Sequence, residues 1–438
     1  MADASSTAAP PQLRAGSSFR RWWANARASF FWMVVIAFAL RLAIILLGHT
    51  YKFRISDQHF GFGWEMGRIG AAIASGSGFS DPFQGHTGPT AWEPPLYPFL
   101  IGCIFKIFGV YSHASSLVLL SINSLLSALT CIPMFLIAKR CFGEKVAVWS
   151  AWTWALLPYV TYWCTRWVWE TSLSALLLST IFWLALTMEE RDGLKPWLQF
   201  GLLWGIAGLN SPVLLSFLPA SGLWAWYHRV QAGKRSLAGV VLASVVFFAC
   251  ITPWLTRTYR IFGKFVFLRS NFGAELRMGN GPGADGTWMW FLHPSQNLYA
   301  LQQYRSLGEI AYIERRKREA IAWIKEDPAR FLGTSFKKFV YYWGGVPKTS
   351  NFPPPEVKNS LFLASSVLCF WGLARALRRG RPGAWLFFWL ILCYPAVYYM
   401  VFPHARYRHP IEPEIGILIV YLIAEARKKG KAEISAAS

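Results

Sequence analysis

Residues 30–47 read FFWMVVIAFALRLAIILL, and the 29 residues before them read MADASSTAAPPQLRAGSSFRRWWANARAS. Coiled into a helix, the first string approaches the ~30 Å of a hydrocarbon core. It is too long for a signal-peptide core, and one charge, Arg41, interrupts it. Arg14, Arg20, Arg21 and Arg27 precede it. Under the positive-inside rule these arginines hold the N-terminus in the cytoplasm. Residues 1–29 therefore read as a short disordered cytoplasmic arm, 30–47 as a retained first span, and the chain from residue 48 onward as emerging outside.

The rest of the chain extends this pattern. Of 438 residues, 54% are hydrophobic and 17% aromatic, while only 15% are charged. A soluble domain carries about 25% charged residues, so these figures exclude one. Further apolar runs lie near 115–138, 145–162, 169–188, 196–209, 211–226, 236–253, 359–374, 383–402 and 411–425, giving ten spans with the first. The inner loops then carry Lys139, Arg140 and Lys145; Arg191 and Lys195; Arg229, Lys234 and Arg235; Arg375, Arg378, Arg379 and Arg381; and Arg427, Lys428, Lys429 and Lys431. The alternation holds only if 96–110 does not cross. That run is short and contains Lys106, so it reads as an interfacial or re-entrant helix on the outer side. The formal net charge of +22 is largely topological and calls for no nucleic acid.

The expected architecture is an all-α polytopic membrane protein. An N-terminal transmembrane module, 30–253, includes a large outer loop, 48–114. An outer subdomain, 254–358, is mostly helical, with an amphipathic pattern over 306–323 and another over 331–343. Helices in 359–426 return to the membrane, and 427–438 form a cytoplasmic tail. Seven cysteines are scattered without a C-x-x-C pair or a neighbouring His cluster, which argues against a disulfide framework and a zinc site. No Walker loop, strand-borne G-x-G-x-x-G or solenoid period occurs. The chemistry is expected at the outer face.

The first outer loop holds Asp57, His59, Glu65, Arg68, Asp81, His86 and Glu93. The string Glu65 to Ser75 suits a short interfacial helix with Met66, Ile69 and Ile73 on one face. Glu65 then falls in the first turn, where a carboxylate interacts well with the helix dipole, and a plain helix-start acid is the ordinary explanation for it. Asp81-Pro82 reads as a turn. Gly88-Pro89-Thr90-Ala91-Trp92-Glu93-Pro94-Pro95-Leu96-Tyr97-Pro98 is stiffened by four prolines, and a stiff loop at a membrane face positions something. Glu170 sits at the outer start of a span, where an acid is costly unless it is hydrated or paired, for instance with Arg166 at i−4. Arg257, Arg260, Arg406 and Arg408 lie at the outer headgroup level. Snorkelling explains each alone, whereas a lipid phosphate explains them together. Residues 268–281 read as a glycine-punctuated loop bringing Asn271, Glu275, Asn280, Arg269 and Arg277 together, a set suited to sugar hydroxyls when backed by aromatic rings.

Taken together, G-x-G-F-S-x-P-F at Gly76 to Phe83, G-P-T-A-W-x-P-P-L-Y-P at Gly88 to Pro98, T-P-W-x-x-R-x-Y at Thr252 to Tyr259, N-x-G-x-E-L-x-x-G-N at Asn271 to Asn280 and R-Y-R-x-P-I-x-P at Arg406 to Pro413 resemble bacterial GT-C superfamily glycosyltransferases. The nearest kin are the family-39-like enzymes grouped with protein O-mannosyltransferases and the lipid A aminoarabinose transferase. The resemblance implies a GT-C fold in a bacterial inner membrane, with both termini cytoplasmic and the active site on the outer face. It implies transfer of a sugar from a polyprenyl-phosphate donor to an acceptor hydroxyl or amine on a lipid, glycan or protein, by one inverting displacement with a carboxylate base. Glu65 matches the expected base and Asp57 is its rival, while Glu93 and Glu170 match supporting acids. The superfamily's usual Asp-Glu pair is missing from this loop. Arg257, Arg406 and Arg408 match lipid-phosphate ligands, and Arg68, Trp92, Tyr97, Asn271, Glu275 and Asn280 fall where the substrate would bind. No cofactor and no metal are expected, a divalent ion on Glu65 and Glu170 being the alternative. The competing classes are a secondary transporter, against which the lack of an internal repeat speaks, and a non-catalytic lipid-handling protein.

Overall fold

A computed structural model describes residues 29–54, 59–347 and 355–437. Among these, nineteen α-helices succeed one another, with short 3₁₀ turns and no strand beyond a single bridge between Ser80 and Pro89. In chain order they are α1 Phe30–Leu47, α2 Glu65–Ala74, α3 Leu96–Phe108, α4 His113–Leu129, α5 Cys131–Phe142, α6 Glu144–Leu156 and α7 Pro158–Arg166. Next come α8 Thr171–Leu186, α9 Lys195–Asn210, α10 Leu218–Gln231, α11 Leu237–Phe262, α12 Phe272–Gly279 and α13 Leu298–Leu307. The last are α14 Glu309–Glu326, α15 Pro328–Gly344, α16 Pro355–Arg378, α17 Ala384–Cys393, α18 Ala396–Met400 and α19 Glu412–Ala437.

Every apolar run of the sequence is helical. Four stretches are long and apolar enough to cross a bilayer: Phe30–Leu47, His113–Phe142, Leu237–Phe262 and Glu356–Arg378. Leu47, Leu237, Val245 and Leu361 are exposed, as lipid-facing side chains are. Other runs are divided by their own chemistry. Pro158 starts α7 and cannot donate to the carbonyl of Trp154 four residues earlier. Arg41, fully buried, repairs the break: its guanidinium donates to Trp154 O at 3.1 Å and Ala155 O at 2.8 Å. The charge that interrupts the first run thus closes the end of α6.

α11 carries Pro253 in its interior and runs on to Phe262, the Thr252 hydroxyl bonding Phe248 O at 2.6 Å beside the proline. Three expectations need correction. The pattern over 306–323 is two helices, because Gly308 at φ 76° separates α13 from α14. Residues 272–279 are helical rather than a loop. There Gly273 and Gly279 allow close approach, since a Cβ on Gly279 would lie 1.7 Å from Val401 O. Arg166 does not pair with Glu170: α7 ends at Arg166 and Trp167 is extended, so the i, i+4 geometry is lost and Arg166 lies 5.8 Å from the Tyr162 ring. The 13-residue α3 packs closely on α2, with Gly70 against Ile101 and Gly102 against Ile73.

Candidate active site

The start of α2 is pressed against the loop between α7 and α8. Gly63 has φ 82°, and a Cβ there would meet Val168 O at 2.5 Å, so only glycine allows the approach. Val168 N donates to Gly61 O at 3.1 Å and fixes it. Glu65, next but one in the chain, opens α2 and is buried. The second loop contributes Trp169 and Glu170, and the turn before α19 contributes Arg406, stacked 3.7 Å from the Trp169 ring centroid.

The proline-rich segment enters from another side. Glu309, in the first turn of α14, accepts from Ala91 N at 2.7 Å, Ser270 Oγ at 2.8 Å, Tyr304 Oη at 2.6 Å and the Thr90 hydroxyl. Arg257 adds bonds to Thr90 O at 2.5 Å and Phe79 O at 2.7 Å. These ties seat Trp92, whose ring is buried against Phe83, Tyr304 and His293, and they leave Glu93 facing Arg269. Arg269 donates to Trp92 O at 3.1 Å and Glu93 Oε1 at 3.1 Å, with Glu275 Oε1 at 3.7 Å; Asn271 holds Glu275 at 3.1 Å.

Four carboxylates and two guanidiniums therefore converge from five segments. Burial pushes Glu65 up to about 7, against its helix-start amide and Arg406, which favour the ionised form. Burial pushes Glu93 up to about 8 against the opposing Arg269. Glu275 is also raised by burial. His293, which the sequence did not single out, lies with Nε2 3.3 Å from Glu65 Oε1, and its Nδ1 accepts from Ser295 N at 3.1 Å. The accepting Nδ1 fixes the proton on Nε2, so the ring donates to Glu65. Burial, with Arg406 and Arg269, pushes His293 down to about 3, keeping it neutral. Its neighbours in the chain, Trp-Phe-Leu before and Pro-Ser after, form no recognisable motif; only the fold pairs it with Glu65.

Glu65, Glu93, Glu170, Glu275, Asn271, Trp92 and Arg406 are thus brought together. Other expected residues hold the frame. Arg408 is buried in a pair with Glu412 at 2.5 Å and also bonds Ser365 at 2.6 Å and Ser366 at 2.8 Å, so its donors are committed away from a lipid phosphate. Arg257 is likewise committed to loop carbonyls. Tyr97 bonds Asn123 at 2.7 Å, and Asn280 joins Leu276 O, Met400 O and the buried Lys338. Arg68 lies one turn beyond Glu65 on α2. Asp57 lies outside the described residues. Asp81 closes a turn through Thr87 N and Gly88 N.

Two polar groups at this site lack a hydrogen-bond partner among the described residues: Glu170 Oε2 and Trp64 Nε1. Arg406 forms no ion pair among the described residues; burial works against its charge, while Tyr407, which also shares a hydrogen bond with it, Glu170 and Glu65 favour it. No three of His, Cys, Asp and Glu among the described residues stand close enough to share a metal ion.

Over nearly its whole length the chain superposes on a membrane enzyme of known structure, the oligosaccharyltransferase of Archaeoglobus fulgidus. With its apo form the TM-score is 0.53 at 16% identity, over 96% of this chain and 53% of that one. The chain has the GT-C glycosyltransferase fold. The archaeal oligosaccharyltransferase AglB from Archaeoglobus fulgidus, in complex with an inhibitory peptide and a dolichol-phosphate, gives 0.50 at 16% identity over 96% of this chain and 52% of that one. The chain thus spans about half the length of these structures. ArnT from Cupriavidus metallidurans bound to undecaprenyl phosphate is more distant, at 0.40 and 13% identity over 89% of this chain and 77% of that one. In sequence, residues 92–256 match the family described as dolichyl-phosphate-mannose-protein mannosyltransferase. No curated protein matches the chain.

Proposed function

We propose that the protein transfers a sugar from a polyprenyl-phosphate donor to an acceptor hydroxyl or amine at the outer face of a bacterial inner membrane, both termini being cytoplasmic. One observation carries this reading: a buried carboxylate, Glu65, titrating near neutral pH and held by a neutral histidine, faces a guanidinium that has no carboxylate of its own. The two parts suit the two ends of a displacement. Glu65 takes the acceptor proton as the acceptor atom bonds C1. The C1–O bond to phosphate breaks, and Arg406 offsets the charge of the departing polyprenyl phosphate. A single displacement inverts C1. Arg269 holds Glu93 and Glu275 in place, while Glu170 Oε2 and Trp64 Nε1 offer an acceptor and a donor to the sugar. Asp57 is the rival base. No step is routed through a metal.

The test uses purified protein in nanodiscs with a panel of polyprenyl-phosphate sugars and a crude membrane extract as acceptor. Release of free polyprenyl phosphate is monitored by mass spectrometry beside Glu65→Gln and Asp57→Asn. Release that needs one of these acids supports the transferase and names its base. Neither turnover nor binding of any donor overturns it in favour of transport.

A further inference from the structure

Next to Glu65 lies a small cleft of about 140 Å³, lined by Arg68, Gln84, Ser295, Gln296, Asn297 and Leu298 among others. Two links join it to the base. Arg68 stands three residues after Glu65 on α2, so the two side chains are neighbours on the helix surface. Ser295, on the opposite wall, donates its hydroxyl to Glu65 Oε1 at 3.3 Å. The walls are firm: Asn297 caps α13 through Tyr299 N and Ala300 N and bonds Phe291 O at 2.8 Å, and the same turn carries the His293 that holds Glu65.

The lining has a definite chemistry. It presents the Arg68 guanidinium and the carboxamides of Gln84 and Gln296 beside the aliphatic Leu298, the side chains of Ser295 and Asn297 being engaged in the bonds just given. Planar amides and a guanidinium pair with adjacent hydroxyls or with a carboxylate, and an aliphatic wall accepts the C–H face of a ring. The volume is below that of a pocket for a drug-sized molecule, roughly 300 Å³ and upward, and suits one sugar ring rather than an oligosaccharide.

The geometry points to this cleft as the acceptor subsite, which takes one neutral or acidic sugar residue and presents a ring hydroxyl to Glu65. The inference rests on the transferase reading and narrows it, because it selects a sugar residue over a peptide. In the step it serves, the ring O–H proton passes to the Glu65 carboxylate, the ring oxygen bonds donor C1, and polyprenyl phosphate leaves with the electron pair of the broken C1–O bond.

Saturation-transfer NMR on the protein in nanodiscs, with the methyl glycosides of a neutral hexose, a hexuronic acid and an amino sugar, tests it without a donor. The neutral and acidic glycosides should bind, and Leu298→Trp, which fills the cleft, should weaken them by about tenfold or more, the scale of a lost pocket fit. Gln296→Ala should weaken them less and covers the case in which the tryptophan variant misfolds. The donor panel is run beside it. Glu65-dependent donor turnover with no glycoside bound, or binding unchanged in both variants, overturns the subsite and leaves the transferase standing. Glycoside binding that the variants weaken, with no turnover of any donor, overturns the transferase instead. Preferential binding of the amino sugar overturns the assigned acceptor class.

Discussion

Two arginines two residues apart, Arg406 and Arg408, meet opposite fates. Arg408 is buried with its donors spread over Glu412, Ser365 and Ser366, a closed set that joins the 3₁₀ turn, α16 and α19. Arg406 stacks on Trp169, forms no ion pair among the described residues, and looks toward Glu170 and Glu65. A buried cation whose donors are all taken contributes to architecture. One that has Tyr407 and the Trp169 ring as partners but no paired carboxylate among the described residues suits the anion that the proposed reaction would release. The same contrast separates Glu309, which has four donors, from Glu65, which has a histidine, a serine and a pKa near neutrality.

The contrast predicts effects of different kinds. The largest on turnover is Glu65→Gln, expected to lower kcat by roughly 10²- to 10⁴-fold, the range of a lost general base, with thermal stability nearly unchanged. Steady-state kinetics and a melting curve on the same sample check it. Arg406→Ala should lower kcat by about 10²- to 10³-fold with the fold intact. Arg408→Ala should instead leave Glu412 buried without a cation and destabilise the fold by about 3–5 kcal/mol, read as a lower Tm and poor recovery of folded protein. If Arg406→Ala unfolds the protein while Arg408→Ala merely slows it, the comparison is the wrong way round.

A third prediction concerns pH. Glu65 must be ionised to accept a proton, so kcat/KM should rise with pH through about 7 and level off above it. His293→Leu removes the N–H that favours the ionised form while keeping the site apolar. It should move this limb about 1 to 2 units to higher pH, so that activity lost at neutral pH returns in alkaline buffer. A pH profile that keeps its midpoint would count against the histidine's role.

The smallest effect is expected at Glu309. Glu309→Gln keeps an acceptor oxygen but turns an amide toward groups that already donate. This should cost about 1–3 kcal/mol locally and speed amide exchange at Ala91 and Trp92 before it alters turnover at saturating substrate.

Much of this was legible from residue order. The apolar runs became helices because hydrophobic periodicity and length are local properties. Glu65 at the head of a short amphipathic helix and Asp81 in a turn came from local rules as well. Identical local rules misread Asn271 to Asn280, where the glycines serve close helix packing rather than a loop. The three arginines were read alike because a sequence shows a charge without its partners.

By itself, then, the sequence determined an all-helical membrane protein, its apolar segments, and the acids and cations of the loops between them, because burial pattern and charge placement are written one residue at a time. The tertiary structure decided which of those groups are spent and which are left for chemistry. Gly63 against Val168, Glu309 against Thr90 and Ala91, and His293 against Glu65 join residues from about 100 to more than 200 positions apart. Whether a carboxylate is a helix-start acid or a base near neutral pH depends on the low-dielectric surroundings and partners that such contacts assemble, and no local stretch of chain contains them.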